Sequence, residues 1–380
     1  MRTRAPAAVS GCVWFAPGRA NLMGEHTDYN KGFVLPFALA QGVTAAVVGR
    51  PDRLLVLRSR QVPDEPVTVS VDSLAPGSVT GWAAYPAGVA WALRAAGYPV
   101  GGASIDIDSD LPVGAGVSSS AALECSVALA LCGLGGATVA RRDLAAIAKR
   151  AENEFVGAPT GIIDQFAALL CRAGHAMLLD CRTLEVSQVP FRPRRDGMAA
   201  LIVDTRVPHA LVSGEYGQRR AECEAAAQAL GVPALGWIAD PGAADRLADP
   251  VLRRRARHVI SDSARARAIA SALRDEDAGT PPPDTYRFVG ELLTEGHLSL
   301  RDDFEVSWPQ ADAAVDAAIA AGAYGAKMIG GGFGGSVLAL VPADRLDAVR
   351  ATLTDAFTRR SWKPPEFLDA IPSAAARRIS

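Results

Sequence analysis

The sequence predicts a two-domain protein that combines helices with strands. Its 380 residues exceed the usual span of one hydrophobic core. Residues 103–108 alternate between apolar and polar side chains, as a half-buried strand does. Residues 142–155 instead place apolar side chains every three or four positions, which predicts an amphipathic helix. A segment rich in proline and arginine, 190–197, supplies the predicted boundary between domains 1–195 and 196–380.

Composition and charge argue against nucleic acid as a partner. The chain is 49% hydrophobic and 21% charged, as an ordinary globular protein is, and its net charge is −2. Residues 251–273 are rich in arginine, but their apolar side chains form a helical stripe that leaves most arginines on a solvated face. Arg267 is the exception, because its helical angle places it within the stripe. We therefore expect no nucleic-acid partner.

The cysteines and apolar runs indicate a cytoplasmic protein. The six cysteines form no CxxC pair and lie mostly in apolar runs, which predicts buried, reduced thiols. No apolar run approaches the length of a membrane span. The sequence VSGC at 9–12 resembles a lipoprotein cleavage site, but only residues 5–9 could form its apolar region, which is too short. We expect an unprocessed cytoplasmic chain without a membrane partner.

Polar side chains are densest in residues 16–36, named here the 16–36 loop. Between two apolar, strand-like runs this segment carries Arg19, Asn21, Glu25, His26, Asp28 and Tyr29. A small polar ligand needs such a group, because each of its hydroxyls requires a hydrogen-bond partner on leaving water. The alternative is a solvated loop between strands. Leu22 and Met23 weaken that alternative, because they would anchor the loop to a core.

Residues 114–120 read GAGVSSS and are named here the glycine–serine loop. The apolar run 121–131 that follows predicts a helix. Glycines let the backbone approach a ligand, serines offer hydroxyls and helix caps, and a helix N-terminus attracts anions, so phosphate is the natural occupant. This is not a Walker A loop, because no lysine follows the glycines. Taken by itself, the motif favours a loop that only caps a helix.

Two carboxylates that follow the glycine–serine loop in the sequence are candidate functional residues. Glu152 lies at the border of the apolar stripe of its helix and could reach a cleft, although a lone helical glutamate is usually a solvated charge. Asp164 precedes an apolar run, which is a typical position for a helix cap. Ile162, Ile163 and Phe166 would partly desolvate it, so it requires a charged partner or a shifted pKa.

Residues 330–336 read GGGFGGS and are named here the 330–336 loop. They fit the GxGxxG pattern and, with Val337, the protein-kinase pattern GxGxxGxV. Both interpretations fail in context. A dinucleotide fingerprint opens a helix, whereas 337–341 predicts a strand, and the chain contains neither HRD nor DFG. A tight turn between elements is the structural alternative.

Together these segments resemble the galactokinases of the GHMP kinase superfamily. GRANLMGEHTDYNKGFVLP (18–36) resembles the galactokinase signature, whereas LPVGAGVSSSAAL (111–123) and GGGFGGS (330–336) mark the superfamily. The similarity extends to AENEFVGAPTGIIDQF (151–166) and SLRDDFEVSWP (299–309). The resemblance implies an α+β fold in which an N-terminal domain and a ferredoxin-like C-terminal domain meet at a cleft. It also implies transfer of the ATP γ-phosphoryl group to the anomeric hydroxyl of galactose.

The resemblance also implies a role for each matching residue. Asp164 would be the general base, and Arg19 would stabilise both Asp164 and the transferring phosphoryl group. The implied sugar contacts are Glu25, His26, Thr27, Asp28 and Tyr216. The implied ATP contacts are Ser59, Gly114, Ala115, Gly116, Val117, Ser118, Ser119 and Ser120. Magnesium is the implied cofactor, held by Ser120 and Glu152, and we expect a monomer whose partners are galactose and ATP.

Five positions depart from the family pattern and leave sugar selectivity open. Lys327 and Ile329 replace Arg and Thr, Phe304 and Trp308 replace Tyr and Cys, and Lys31 replaces Gly or Asp. One alternative is therefore a kinase for N-acetylgalactosamine or a galactose analogue. The other is a sensor that binds sugar and ATP without turnover. The intact serine run and the presence of both implied catalytic residues disfavour the sensor.

Overall fold

The computed structural model describes residues 11–112, 114–158, 160–208, 213–274 and 283–380. The strands are β1 (Gly11–Asn21), β2 (Phe33–Val34), β3 (Pro36–Arg50), β4 (Leu54–Ser59), β5 (Val62–Ser70), β6 (Gly102–Ser109), β7 (His175–Asp180), β8 (Glu185–Pro190), β9 (Met198–Asp204), β10 (Gly325–Ile329), β11 (Ser336–Pro342), β12 (Glu366–Asp369) and β13 (Arg377–Arg378). The helices are α1 (Ala84–Ala95), α2 (Ser119–Leu134), α3 (Arg141–Arg150), α4 (Ile163–Leu170), α5 (Ser213–Ala229), α6 (Pro250–Arg274), α7 (Pro283–Asp302), α8 (Pro309–Ala320) and α9 (Leu346–Thr358).

A six-stranded sheet holds both ends of the 16–36 loop. Its strand order is β13-β1-β3-β6-β4-β5. The antiparallel β1–β3 ladder runs from the pair Gly11 and Val48 to the pair Asn21 and Pro36. The polar turn between β1 and β3 is thus fixed where it leaves and rejoins the sheet. Strand β6 confirms the alternation at 103–108, with Ile105 buried and Asp106 exposed.

The C-terminal sheet has the ferredoxin-like topology that the resemblance implied. Its strand order is β10-β11-β9-β12, and every neighbouring pair is antiparallel. In chain order, helices separate β9 from β10, a tight loop joins β10 to β11, and α9 leads to β12. This is a β-α-β-β-α-β unit. The strand predicted at 337–341 is β11, and the 330–336 loop is the connection between β10 and β11.

Two hydrophobic cores underlie the two halves of the chain. One lies mainly beneath the six-stranded sheet and α1 to α4, and the other packs α5, α6, α8 and α9 against the C-terminal sheet. A third sheet, β2-β7-β8, includes β8, which we did not predict. Strand β13 returns to pair with β1. The C-terminal end of the chain, through β13, thus belongs to the six-stranded sheet. The predicted domain boundary at 195/196 stays a prediction.

The segment 142–155, which we predicted as one helix, is divided between two elements in the structure. Helix α3 ends at Arg150, and a π-helical turn follows over Ala151–Val156. Gly157 ends the segment at φ +85°, a left-handed conformation that glycine adopts without strain. Asp143, in the first turn, does not cap α3, because the N-cap is Ala140 and no side-chain cap bond is made there. Glu152 lies buried on this π turn, a type of turn that is frequent at functional sites.

Helix α6 corrects the arginine prediction. Arg267 is exposed, and its guanidinium lies 5.3 Å from the centroid of the Phe33 ring. The buried arginine is Arg255, which is held 2.6 Å from both Glu222 and Glu305. The helical angle of a position could not predict that Arg255 is the buried arginine of α6. The carboxylates that neutralise Arg255 come from other elements.

The cysteines and the lengths of the helices can be compared with the sequence predictions. All six cysteines are buried and free, which confirms that prediction. Among the described helices, none combines the length and the apolar character needed to cross a membrane.

Candidate active site

One cavity of about 460 Å³ collects most of the predicted site residues. Those that line it are Arg19, Glu25, His26, Asp28, Gly114, Gly116, Val117, Ser118, Ser119, Ser120, Glu152, Asp164 and Tyr216. The cavity is also lined by residues that are outside our predicted contacts, namely Asn21, Gly24, Tyr85, Val156, Gly157, Ala158, Thr160, Gly161, Ile163, Gly330 and Gly331. The 16–36 loop, the glycine–serine loop and the 330–336 loop therefore meet around one space.

Three predicted contacts do not line this cavity. Thr27 is buried, and its hydroxyl lies 2.9 Å from the Gly24 carbonyl and 2.7 Å from that of Phe33, so it holds the loop together. Ala115 is buried, and its carbonyl accepts a hydrogen bond of 2.7 Å from Ser336. Ser59 is on β4, where its hydroxyl lies 3.4 Å from the Gln61 amide oxygen. Each hydroxyl or carbonyl is used by the protein itself.

Arg19 and Asp164 form a two-pronged ion pair at the cavity wall. Nε of Arg19 donates to Oδ1 of Asp164 at 2.8 Å, and Nη2 donates to Oδ2 at 3.2 Å. Such paired bonds fix orientation as well as charge. Nη1 of Arg19 also donates to the Gly116 carbonyl at 2.6 Å, which ties the pair to the glycine–serine loop. The N-cap of α4 is Ile162 and makes no side-chain cap bond, so Asp164 does not cap the helix.

Asp28 is held against a glycine. Its Oδ1 accepts the backbone N–H of Tyr29 at 2.8 Å, and its Oδ2 accepts that of Ile162 at 3.1 Å. Burial raises the pKa of this carboxyl, and the hydrogen bond from the Tyr29 backbone N–H partly offsets that rise. A Cβ on Gly161 would lie 1.4 Å from Oδ2, so the carboxylate takes up the space that a side chain would need. This close approach requires glycine at 161.

His26 and Tyr216 form an aromatic wall with Phe304. The His26 ring lies 5.3 Å from that of Tyr216 and 4.7 Å from that of Phe304. Nε2 of His26 lies 3.2 Å from the Gly331 carbonyl, and Nδ1 lies 2.9 Å from the Tyr29 hydroxyl. A carbonyl only accepts, so Nε2 carries the proton and a neutral ring accepts at Nδ1. The imidazole thus joins the 16–36 loop to the 330–336 loop.

The glycine–serine loop presents a free hydroxyl at the start of α2. Gly114 and Gly116 have φ of +77° and +71°, and Ser118 is also left-handed. We expected serine caps, but Ser118 makes no side-chain cap bond. Within the part of the chain that the structure describes, its buried Oγ has no hydrogen-bond partner. A buried hydroxyl without a partner, beside a helix N-terminus, favours an anionic ligand such as phosphate.

Glu152 is buried in a network of oxygens and amides. Its Oε2 accepts from the Thr160 hydroxyl at 2.7 Å and from the Gln165 amide at 2.8 Å, and Ser120 also bonds it. Burial raises the pKa of Glu152, and the Thr160 hydrogen bond partly offsets the rise. Gln165 also donates at 3.1 Å to the buried Glu124, whose pKa burial raises well above its usual value. The Gln165 amide thus joins two buried carboxyls, those of Glu124 and Glu152.

The 330–336 loop supports both other loops. Gly330 N donates to Glu25 at 3.0 Å, and Ser336 bonds the carbonyl of Ala115 in the glycine–serine loop. A Cβ at Gly330 would lie 3.2 Å from the Gly116 carbonyl, which is tighter than an ordinary contact. The backbones of the two glycine-containing loops are thus packed directly together.

The five departures from the family pattern have distinct environments. Lys31 is exposed at φ +61°, a left-handed position that suits the usual glycine. Trp308 donates from Nε1 to the Thr205 hydroxyl at 3.1 Å, and Ile329 is buried in the first core. Phe304 packs on His26, and Lys327 contacts Glu25. Two departures, Phe304 and Lys327, therefore touch residues of the cavity.

Side chains of helix α6 hydrogen-bond the backbone of the 16–36 loop. Asp262 accepts the Gly24 N–H at 3.0 Å, and Nε2 of His258 lies 3.1 Å from the Glu25 carbonyl. His258 is fully buried, and burial lowers its pKa to about 3. Its ring is therefore neutral near pH 7 and donates to that carbonyl from Nε2.

Neutral His258 predicts a loss of stability in acid. An unfolded histidine has a pKa near 6.5, so between about pH 6.5 and 3 the unfolded chain binds a proton that the native protein does not. This residue should lower the free energy of unfolding by about 1.4 kcal/mol for each pH unit of acidification. We expect His258→Gln, which keeps a donor, to flatten urea-unfolding stability against pH by about that slope between roughly pH 6 and 4. Equal slopes for the two proteins would contradict the assignment.

The residues that sequence analysis missed act through side-chain contacts that no sequence pattern shows. Gly161 and Thr160 lie within the quoted motif 151–166, but their roles depend on Asp28 and Glu152. Tyr85 belongs to no motif that we identified. The one available signal was the pair of small residues Thr160 and Gly161, which two isoleucines separate from Asp164.

Comparison with known proteins agrees with this arrangement. The galactokinase galactose-binding signature matches residues 4–48, the GHMP kinases N terminal domain matches 84–172, and the GHMP kinases C terminal domain matches 286–359. The chain is 49% identical to a galactokinase of Streptomyces coelicolor over 97% of this chain and 94% of the relative. It is 44% identical to one of Mycobacterium tuberculosis over 92% and 94%.

Solved structures agree in fold. The structure of Lactococcus lactis galactokinase complexed with galactose has a TM-score of 0.90 and 31% identity, and it covers 97% of this chain and 95% of its own. A mevalonate kinase shares the fold alone, with a TM-score of 0.64 at 15% identity over 96% of this chain and 98% of its own. The chain therefore belongs to the galactokinase family of the GHMP kinases.

Proposed function

We propose that this protein transfers the γ-phosphoryl group of ATP to the anomeric hydroxyl of galactose, giving galactose 1-phosphate and ADP. The observation that carries the proposal is the Arg19–Asp164 pair. It lies in one cavity with the polar residues of the 16–36 loop on one side and the glycine–serine loop on the other. The galactokinase relatives and the galactose-bound structure support this choice of sugar.

Asp164 would accept the proton of the attacking hydroxyl. A carboxylate held by two bonds from one guanidinium has a fixed direction, and it keeps lone pairs for a substrate proton. Arg19 would remain beside the developing negative charge of the phosphoryl group. Phosphoryl transfer depends mainly on positioning and charge stabilisation, which this pair can supply.

The sugar would be bound by Glu25, Asp28, His26 and Tyr216. The carboxylates accept hydrogen bonds, and burial raises the pKa of Tyr216 well above its usual value, so its hydroxyl stays protonated. Both ring nitrogens of His26 have protein partners, so a sugar hydroxyl that bonds His26 must displace one of them. Thr27, which bonds the backbone carbonyls of Gly24 and Phe33, would support this surface from within the loop.

ATP phosphates would occupy the glycine–serine loop. The backbone of Gly114 to Ser120, the start of α2 and the hydroxyl of Ser118 supply donors there. Ser120 and Glu152 would hold magnesium, since a hydroxyl and a carboxylate together with phosphate oxygens suit this ion. When bound, magnesium would neutralise phosphate charge. The contact of Ser59 with ATP and the monomeric state of the protein remain predictions.

Substitution of Glu152 tests the magnesium proposal. Glu152→Gln removes the anionic oxygen but keeps the shape, so we expect a higher magnesium concentration at half-maximal rate, by about 10-fold. Galactose affinity, measured by calorimetry without metal, should stay within about twofold. Glu154→Gln, on the same π turn and bonded to Arg150 at the surface, is the matched control. An unchanged magnesium requirement would remove Glu152 from the metal site.

A coupled assay of ADP release over a panel of sugars tests the function. Galactose should be phosphorylated with a kcat/KM about 10- to 100-fold above that of glucose, because an epimer leaves a buried polar group unpaired. N-acetylgalactosamine as the preferred sugar would favour the related kinase. Binding of galactose and ATP without ADP release would favour the sensor. Equal kcat/KM for glucose and galactose would contradict the assignment of the 16–36 loop.

A further inference from the structure

Lys327 is a buried charge beside the substrate cavity. Its side chain, on β10, is fully buried, and lysine is almost never buried without a partner. Its Nζ lies 3.0 Å from Oε2 of Glu25 and 3.3 Å from the Asn21 carbonyl. Lys327 is not among the residues that line the cavity, whereas Glu25 is. The ammonium group therefore acts on the cavity through Glu25.

Protein donors occupy most of the Glu25 carboxylate. Oε2 accepts from Lys327 and from the Asn21 side-chain amide, and Oε1 accepts from the Gly330 N–H at 3.0 Å. A carboxylate offers about four lone-pair positions. These three bonds leave one position, on Oε1, for a ligand. Glu25 is thus fixed from three directions and can receive a single hydroxyl hydrogen.

The local charges show why a cation is required. Burial raises the pKa of Glu25, and the ammonium of Lys327 acts in the opposite direction. Asp262, fully buried on α6, is a second carboxylate close to Lys327 and holds the Gly24 N–H. Without Lys327, two buried carboxylates would lie under the 16–36 loop, with Arg265 bonded to Asp262 and not to Glu25.

We propose that Lys327 is a positioning residue for sugar recognition, which fixes the Glu25 carboxylate as an acceptor for one substrate hydroxyl. The inference rests on the proposed function, because that hydroxyl belongs to galactose. It also assigns a task to a departure from the family pattern. The usual arginine would carry the same charge, so Lys327→Arg should preserve recognition better than a neutral residue does.

The first test compares binding of the two substrates. Lys327→Met leaves Glu25 buried without its cation, so the galactose Kd measured by calorimetry should rise about 10- to 100-fold. The ATP Kd should stay within about twofold, and Lys327→Arg should keep the galactose Kd within about fivefold. Met328→Leu, the next residue on β10 with its side chain in the second core, is the control for packing loss. Equal weakening of both substrates would overturn the inference.

A double substitution separates action through Glu25 from a general structural role. In a Glu25→Gln background, Lys327→Met should change the galactose Kd by less than about threefold, because the charge that it neutralises is absent. A full 10- to 100-fold effect in that background would overturn the inference. Wild-type protein that binds no galactose would instead overturn the proposed function, and the inference with it.

A series of monodeoxygalactoses keeps the inference testable if Lys327→Met does not fold. One member of the series lacks the hydroxyl that Glu25 receives, and Glu25→Gln should leave the Kd of that sugar unchanged. Lys327→Gln, which keeps a hydrogen-bond donor but removes the charge beside Glu25, should then raise the Kd of galactose but not that of the same deoxy sugar. If Lys327→Gln shifts the Kd of every sugar equally, Lys327 does not act through Glu25.

Discussion

Replacement of Asp164 by asparagine is expected to lower kcat by about 10²- to 10⁴-fold while galactose and ATP still bind. Asparagine has the shape of aspartate and keeps an acceptor for Arg19, but it cannot take up the proton of a sugar hydroxyl. The carboxylate now lies 2.8 and 3.2 Å from Arg19 nitrogens at the cavity wall. A small change in stability would not be diagnostic, because Arg19 loses an anionic partner in either case.

Two measurements on the same variant decide the role of Asp164. Turnover should collapse, and calorimetric binding of galactose and ATP should remain near normal. Asp143→Asn is a matched control, because Asp143 is also in the first turn of a helix, is exposed and does not cap it. Near-normal turnover of Asp164→Asn would refute the proposal that Asp164 is the general base.

Gly161→Ala is expected to lower kcat/KM for galactose by about 100-fold, mainly through KM. The new Cβ would lie 1.4 Å from Oδ2 of Asp28, so the carboxylate must move and lose the Ile162 N–H. The ATP Kd should change little, since the clash is confined to the sugar side. Gly101→Ala, where no atom lies within 4 Å of the added Cβ, should behave as wild type. An unchanged galactose KM for Gly161→Ala would remove Asp28 from the sugar site.

Sequence predicted the parts of the site that depend on local pattern. The strands around the 16–36 loop, the helix after the glycine–serine loop and the strand after the 330–336 loop all follow from runs of apolar residues, and all are present. The order of the three motifs indicated that they serve one function. Their meeting in one cavity was an implication of the family resemblance, because no periodicity predicts which loops will converge.

Side-chain roles set by contacts between distant segments were not predictable. Glu152 was placed at a stripe border on an α-helical angle, whereas the π turn Ala151–Val156 buries it. Arg255 is buried because carboxylates from two other elements reach it, and Arg267 is exposed despite its favourable angle. Lys327 was noted only as a departure from a pattern, and its ion pair with Glu25 joins residues far apart in sequence. Such partners become visible only in the folded chain.

Identification of the reaction product by NMR tests the central claim most directly. Purified protein should be incubated with galactose, ATP and magnesium, and the products followed by phosphorus and carbon spectra. We predict one sugar phosphate, with its phosphorus bonded to the anomeric oxygen of galactose and formed in equal amount with ADP. ADP without a sugar phosphate, or phosphate on another hydroxyl, would contradict the account.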